Sequence, residues 1–221
     1  MATNKRVLGR IGFYLGLALF LIITLFPFFV MLMTSFKSAK EAISLHPTIL
    51  PQEWTLQHYI DIFNPLIFPF VDYFRNSMVV SLTSSVIAVF LGTLGAYALS
   101  KLRFKGRTTI NASFYTVYMF SGILLVVPLF KIITALGIYD TELALIITMV
   151  TQTLPTAVFM LRSYFDTIPD EIEEAAMMDG LNRLQIIFRI TVPLAISGLV
   201  SVFVYCFMVA WNDYLFASIF L

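Results

Sequence analysis

The sequence predicts an all-α bundle of membrane-spanning helices, and three observations carry that expectation. Of its 221 residues 59% are hydrophobic and only 12% charged, against about 25% charged in an ordinary soluble domain; the mean hydropathy is +0.89. Five stretches, 11–33, 78–99, 110–130, 143–161 and 194–214, are apolar over about the 20 residues a helix needs to cross a hydrocarbon core of about 30 Å. Finally, the basic residues segregate. Alternating spans put the N-terminus and the loops 101–107 and 162–189 on one face with ten of the 14 Lys and Arg residues, leaving Lys37, Lys40, Arg75 and Lys131 opposite. The positive-inside rule makes the richer face cytoplasmic, with the cluster Lys101, Arg103, Lys105 and Arg107 carrying most weight.

The first span follows Lys5, Arg6 and Arg10, as a cleaved leader would, but its core is too long and 31–35 lacks an A-x-A pattern. It reads as a retained helix. Segment 35–76 mixes Pro47, Pro51, Pro65 and Pro69 with Trp54, Tyr59, Phe63 and Phe68, a composition suited to the membrane interface. An ordered hairpin on the outer surface is expected there, with Thr55 starting a short helix that runs to about Phe63. Gly12 with Gly16, and Gly92 with Ala96, keep a small-x-x-x-small spacing that permits close helix contact.

Several function classes are excluded or disfavoured. A net charge of +1 offers no field for nucleic acid. His46 and His58 are isolated, so no metal site is expected, and Cys206 lies alone in an apolar run as a packing residue. None of the glycines has the G-x-x-x-x-G-K-[ST] context, so neither ATP binding by that device nor a cofactor is expected, and no catalytic constellation is present. An ion-driven carrier, which stays among the alternatives, is disfavoured because it would bury ionisable groups mid-span, and no span carries one near its centre. Lys131 and Asp213 stand near outer span ends, where they can snorkel. Among polar residues at or within spans, Gln152, with Thr151 and Asn76, is the candidate for a solute path; a hydrogen bond from Gln152 to a neighbouring helix is the alternative.

The polar loop 163–193 holds six of the 13 acidic residues: Asp166, Asp170, Glu171, Glu173, Glu174 and Asp179. Thr167, Pro169 and Asp170 form a helix start, and acids in that first turn suit the positive end of the dipole. Gly180 stops the helix, Asn182 with Gln185 starts a second one, and Pro193 ends it at the membrane. On the first helix Ala175, Ala176, Met177 and Met178 offer a small, adaptable surface beside Glu171 and Glu174. A helix lying on lipid headgroups would carry Lys or Arg, and none occurs between Arg162 and Arg183. The acidic surface instead suits a basic groove on a protein.

Glu174, Ala175, Ala176, Gly180, Ile190, Val192 and Pro193 resemble the signature of ABC importer permeases, E-A-A-x-x-x-G-x(9)-I-x-L-P, with Val192 in place of Leu. The resemblance extends along nearly the whole chain to maltose-type (MalG-like) carbohydrate permeases, through Phe26–Pro27, Ser35–Phe36–Lys37, Leu50–Pro51 with Trp54 and Tyr59, Asn76–Ser77, Ala96–Tyr97–Ala98–Leu99, Arg103–Phe104–Lys105–Gly106–Arg107 and Trp211–Asn212–Asp213. It implies a single type I importer membrane domain over 1–221, with 163–193 as its coupling loop, in a bacterial inner membrane. It also implies that Glu174, Ala175, Ala176, Asp179, Gly180, Ile190 and Pro193 serve the contact with a cytoplasmic ATPase subunit. A second permease subunit, giving a heterodimer, an extracytoplasmic solute-binding protein and a carbohydrate solute follow from the same likeness. The family's sixth span and polar C-terminal tail have no counterpart before Ile219, Phe220 and Leu221, so the chain is expected to be a C-terminally shortened piece. The rival readings are a permease for a different small solute, a secondary carrier and a non-transporting membrane scaffold.

Overall fold

The computed structural model describes residues 2–119 and 122–221; every element is helical and, among these residues, there is no strand. Two compact units divide the chain, Met1–Asp72 and Tyr73–Leu221.

The first unit is built on α1 (Ala2–Ser35), of which Gly9–Ser35 is long and apolar enough to cross a membrane. After it comes the expected ordered hairpin, carrying the short helices α2 (Ala39–Ala42) and α3 (Gln57–Asp61). Its cohesion is polar and aromatic. The buried Lys37 side chain donates to the Thr48 carbonyl, the Thr48 hydroxyl donates to Glu41 at 2.6 Å, and the Thr55 amide donates to the Phe36 carbonyl at 2.9 Å. The Thr48 hydroxyl holds the Glu41 carboxyl below the usual range. Phe36 packs on Trp54 and Tyr59, with ring centroids 5.7 Å away in each case. Thr55 accepts the Gln57 amide at 3.1 Å, but the residue before α3 is Leu56, which makes no side-chain cap, and α3 ends at Asp61, short of Phe63. No heavy atom lies within 4 Å of a Cβ built at Gly12 or Gly16, so that pair makes no close contact inside its unit.

The second unit is organised on two long helices, α4 (Phe70–Lys101, entering from the first unit) and α7 (Glu142–Phe165). Both are long and apolar enough to cross a membrane. Small residues let them approach: a Cβ on Gly92 would stand 3.1 Å from that of Ala157, and Ala88 and Ala96 are fully buried. Buried hydroxyls bond back to their own helices, Thr93 to Val89, Thr148 to Ala144 and Thr153 to Met149, so these three groups are satisfied without water.

The expected third span, 110–130, is not one helix. α5 (Arg107–Met119) precedes a 3₁₀ turn at Gly122–Leu125, and α6 (Val126–Ala135) follows; Phe120 and Ser121 lie outside the described residues. Pro128, in the first turn of α6, has no N–H to offer Leu124, so the α-ladder cannot run unbroken through this point.

The fifth span also differs. Beyond α8 (Asp170–Met178), α9 (Arg183–Ile186) runs into a π turn at Ile187–Thr191 and then α10 (Val192–Leu194); α11 (Ile196–Trp211) departs at 85° to this run. Pro193 does not end the helix. Its ring excludes the Arg189 carbonyl from a regular bond, the preceding turn widens into π geometry, and the chain breaks two residues later at Ala195. A last short helix, α12 (Ala217–Phe220), buries Phe220.

Two apolar clusters fill this unit. One joins Ala96, Tyr97, Leu161, Phe165, Ile187 and Val202 with Cys206, which is buried as a packing residue; the other joins Val80, Ile133, Leu145, Met149, Phe216 and Phe220.

Candidate functional site

The polar loop after α7 forms a short helix with one face held and one face free. Its start differs from the expected one. The Thr167 hydroxyl donates to the Tyr164 carbonyl at 2.6 Å and caps nothing, and α8 begins after Pro169. Asp170, Glu171 and Glu173 then occupy its first turn, where the dipole favours them. Its end is as expected. Gly180 has φ +84°, the Leu181 amide donates to Ala176 at 3.1 Å and the Gly180 amide to Met177 at 3.0 Å. These two bonds are a complete Schellman motif, which requires a left-handed residue at the Gly180 position. Asn182 and Gln185 form a reciprocal capping box at 2.9 Å in each direction, opening α9.

The held face of α8 is Glu173 and Ala176, 3% and 5% exposed. The Tyr97 hydroxyl donates to Glu173 Oε2 at 2.9 Å, the Thr191 hydroxyl donates to Oε1 at 3.3 Å, and Arg183 Nη1 lies 3.8 Å from Oε2. Lys101, the last residue of α4, donates to the Ile168 carbonyl and to Asp170 at 2.7 Å. That ammonium holds the exposed Asp170 carboxyl below the usual range. Arg107 reaches back to the Leu99 and Ser100 carbonyls at 2.8 and 2.9 Å, satisfying orphan acceptors at the end of α4. A cleft of about 770 Å³ lies along this seam, lined by charges of both signs, among them Lys101, Arg103, Glu174 and Arg183.

The free face carries Glu171, Glu174, Ala175 and Met178, with Asp179 and Gly180 exposed at its end. Of the signature residues, Glu174, Ala175, Asp179 and Gly180 therefore stand open to a partner. Ala176 is turned inward, Ile190 is half-buried in the π turn, and Pro193 is exposed in α10. Glu173, Tyr97, Lys101 and Thr191 were not expected from sequence to take part. The one available signal is spacing, since Glu173 stands three residues before Ala176 and so shares its face.

Thr151 and Gln152 line a pocket of about 170 Å³ halfway along α7, with Gly122, Thr156 and Tyr205. Gln152 Nε2 is buried without a hydrogen-bond partner among the described residues. A Cβ on Gly122 would lie 3.4 Å from Gln152 Oε1, so the amide packs against this turn at ordinary contact distance. Asn76 is exposed on α4, away from this lining. Among the described residues no group of three or more His, Cys, Asp or Glu side chains is placed to hold a metal.

The chain belongs to the family of binding-protein-dependent transport system inner membrane components, whose pattern it matches over residues 88–221. It is a multi-pass inner-membrane permease subunit of the ABC importer type. Over 221 residues it is 91% identical to the inner membrane ABC transporter permease protein YcjP of Escherichia coli (strain K12), covering all of this chain and 79% of that one. It is 35% identical to the trehalose/maltose transport system permease protein MalG of Thermococcus litoralis, over 98% of this chain and 77% of the relative. Among solved structures it resembles a chain from the crystal structure of a bacterial ABC transporter involved in the import of the acidic polysaccharide alginate. That likeness has a TM-score of 0.83 and 26% identity, and covers 99% of this chain and 75% of the other.

Proposed function

We propose that this subunit carries a carbohydrate across the inner membrane and is driven through α8 by a cytoplasmic ATPase. The observation that carries the reading is a short helix anchored from behind by Glu173 and Lys101 while Glu174, Ala175 and Met178 remain exposed. Such a face suits a basic groove, with Glu174 pairing to a cation and Ala175 permitting close approach. The whole chain is then one membrane domain with a cytoplasmic N-terminus, and 163–193 is its coupling loop. It works beside a second permease subunit, in a heterodimer, and receives solute from an extracytoplasmic binding protein. The names of relatives that handle trehalose and maltose support a sugar as cargo.

Affinity purification of the tagged permease from cells expressing its neighbouring transport genes tests the coupling role. Glu174→Lys should reduce the co-purified ATPase by about tenfold or more, the scale of losing one buried charge pair at an interface. Parental recovery of the ATPase with that variant would overturn the assignment of α8.

Gln152 and Thr151 are proposed to line the solute path, the Gln152 amide N–H, unpartnered among the described residues, being a donor for a sugar hydroxyl. Gln152→Leu should raise the solute concentration for half-maximal uptake by about fivefold or more, the scale of one lost hydrogen bond. Unchanged uptake kinetics would remove Gln152 from the path.

A further inference from the structure

The acidic residue just ahead of the signature glutamate has a different job from its neighbour. Glu174 is exposed, whereas Glu173 is buried and points into the protein, where three separate elements meet it: Tyr97 from α4, Arg183 from α9 and Thr191 from the π turn before α11. The cluster is closed on itself, because Arg183 Nη1 also reaches the Tyr97 hydroxyl at 3.5 Å. Tyr97 and Thr191 are 2% and 0% exposed. Stability alone does not account for such a group. A buried carboxylate must repay its desolvation through its partners, and an apolar side chain of the same volume fills the space as well or better. What a carboxylate does that an apolar residue cannot is fix direction and register, because its two oxygens are bonded to different elements.

We propose that Glu173 is a positioning residue that locks α8 to α4 and to the root of α11, so that force applied to α8 moves both membrane helices together. This deepens the coupling role proposed for α8 and rests on it. The two glutamates thereby divide the work: Glu174 faces the partner, and Glu173 passes the displacement inward. The geometry suits transmission. Tyr97 lies one turn from the end of a 32-residue helix, and Thr191 lies four residues before the 85° break at Ala195. A rigid element bonded at both places delivers one movement to two spans, as in shear or rigid-body switching. Lys101, bonded to Ile168 and Asp170, is a second fastening at the start of α8, but its Asp170 partner is 69% exposed and screened by solvent.

The test uses the complete importer, with ATPase, second permease and binding protein, reconstituted into liposomes. Retained ATPase and the ATP hydrolysed per solute imported are both measured for Glu173→Gln and Tyr97→Phe. If Glu173 transmits, each variant keeps the ATPase but spends at least about five times more ATP per solute, the low end of ordinary coupling energies. The double variant should then be no worse than the more affected single one, since the two side chains act as one link. A parental ratio in both variants, with or without a lower yield of assembled complex, would show a purely structural role and overturn the proposal. Should Glu173→Gln fail to assemble, Tyr97→Phe, which removes one hydroxyl, decides alone. Absence of ATPase from the unmodified complex would overturn the reading of α8 itself, an outcome separate from an unchanged ratio in a complex that retains it.

Discussion

Replacing Gly198 by alanine is expected to lower the melting temperature of the purified permease sharply, because α7 and α11 cross there without room for a methyl group. A Cβ at this position would stand 2.5 Å from Tyr164 Cγ and 2.6 and 2.8 Å from its two Cδ atoms. These are ring atoms near the backbone, so the tyrosine cannot escape by swinging only its far end. Either the ring leaves its rotamer or the helices part, and overpacking of this kind costs about 1–3 kcal/mol. Against a total stability of about 5–15 kcal/mol that is a large fraction. Helix association in a bilayer depends on close packing, since lipid supplies no hydrophobic drive between helices. The second-site test is Tyr164→Ala, which removes the obstructing ring. The double variant should recover most of the loss, while Tyr164→Ala alone should cost less than Gly198→Ala. A Gly198→Ala protein melting with the parent would mean that the two helices do not meet as closely as the structure places them.

How much of this was legible in the sequence depends on which physical signal each feature leaves. Length and hydropathy located α1, α4 and α7, because a helix in lipid must be apolar on all sides and no periodicity has to be recognised. They failed where a proline disturbed the ladder without ending it. Pro193 reads as a terminator, yet the chain absorbs it with a π turn and bends later, at Ala195. At 110–130 the hydropathy runs through the 3₁₀ turn at Gly122–Leu125 without a mark. Local chemistry was legible at Gly180 and at Asn182 with Gln185, because those bonds close within a few residues. Thr167 looks like a helix start in the sequence, yet its hydroxyl closes backward on the Tyr164 carbonyl, a choice that residue type alone does not reveal. Glu173 left almost no signal. A carboxylate reads as solvent-facing, and its partners Tyr97 and Thr191 are 76 and 18 residues distant.

Gly180 is the second position where one substitution should have a large effect, and there the loss is of function rather than of folding. Space is not the constraint, since nothing lies within 4 Å of a Cβ built on Gly180; the constraint is φ +84°. An L-residue held in that left-handed region costs about 1–2 kcal/mol, and β-branching makes it worse. Gly180→Val is therefore expected to break the bonds from Leu181 to Ala176 and from Gly180 to Met177, unwinding the last turn of α8 where Met178 and Asp179 are displayed. The membrane helices do not depend on that turn, so the protein should reach the membrane in parental amount. Transport should fall below about a tenth, a decade corresponding to about 1.4 kcal/mol of lost engagement. Gly180→Asn provides the control, because asparagine tolerates left-handed geometry and should keep most of the activity. Uptake and membrane content measured together give the answer: a valine variant that transports like the parent would show that the shape of this turn is irrelevant to coupling. If asparagine and valine fail alike, a partner needs the bare backbone of Gly180, and the effect belongs to contact rather than conformation.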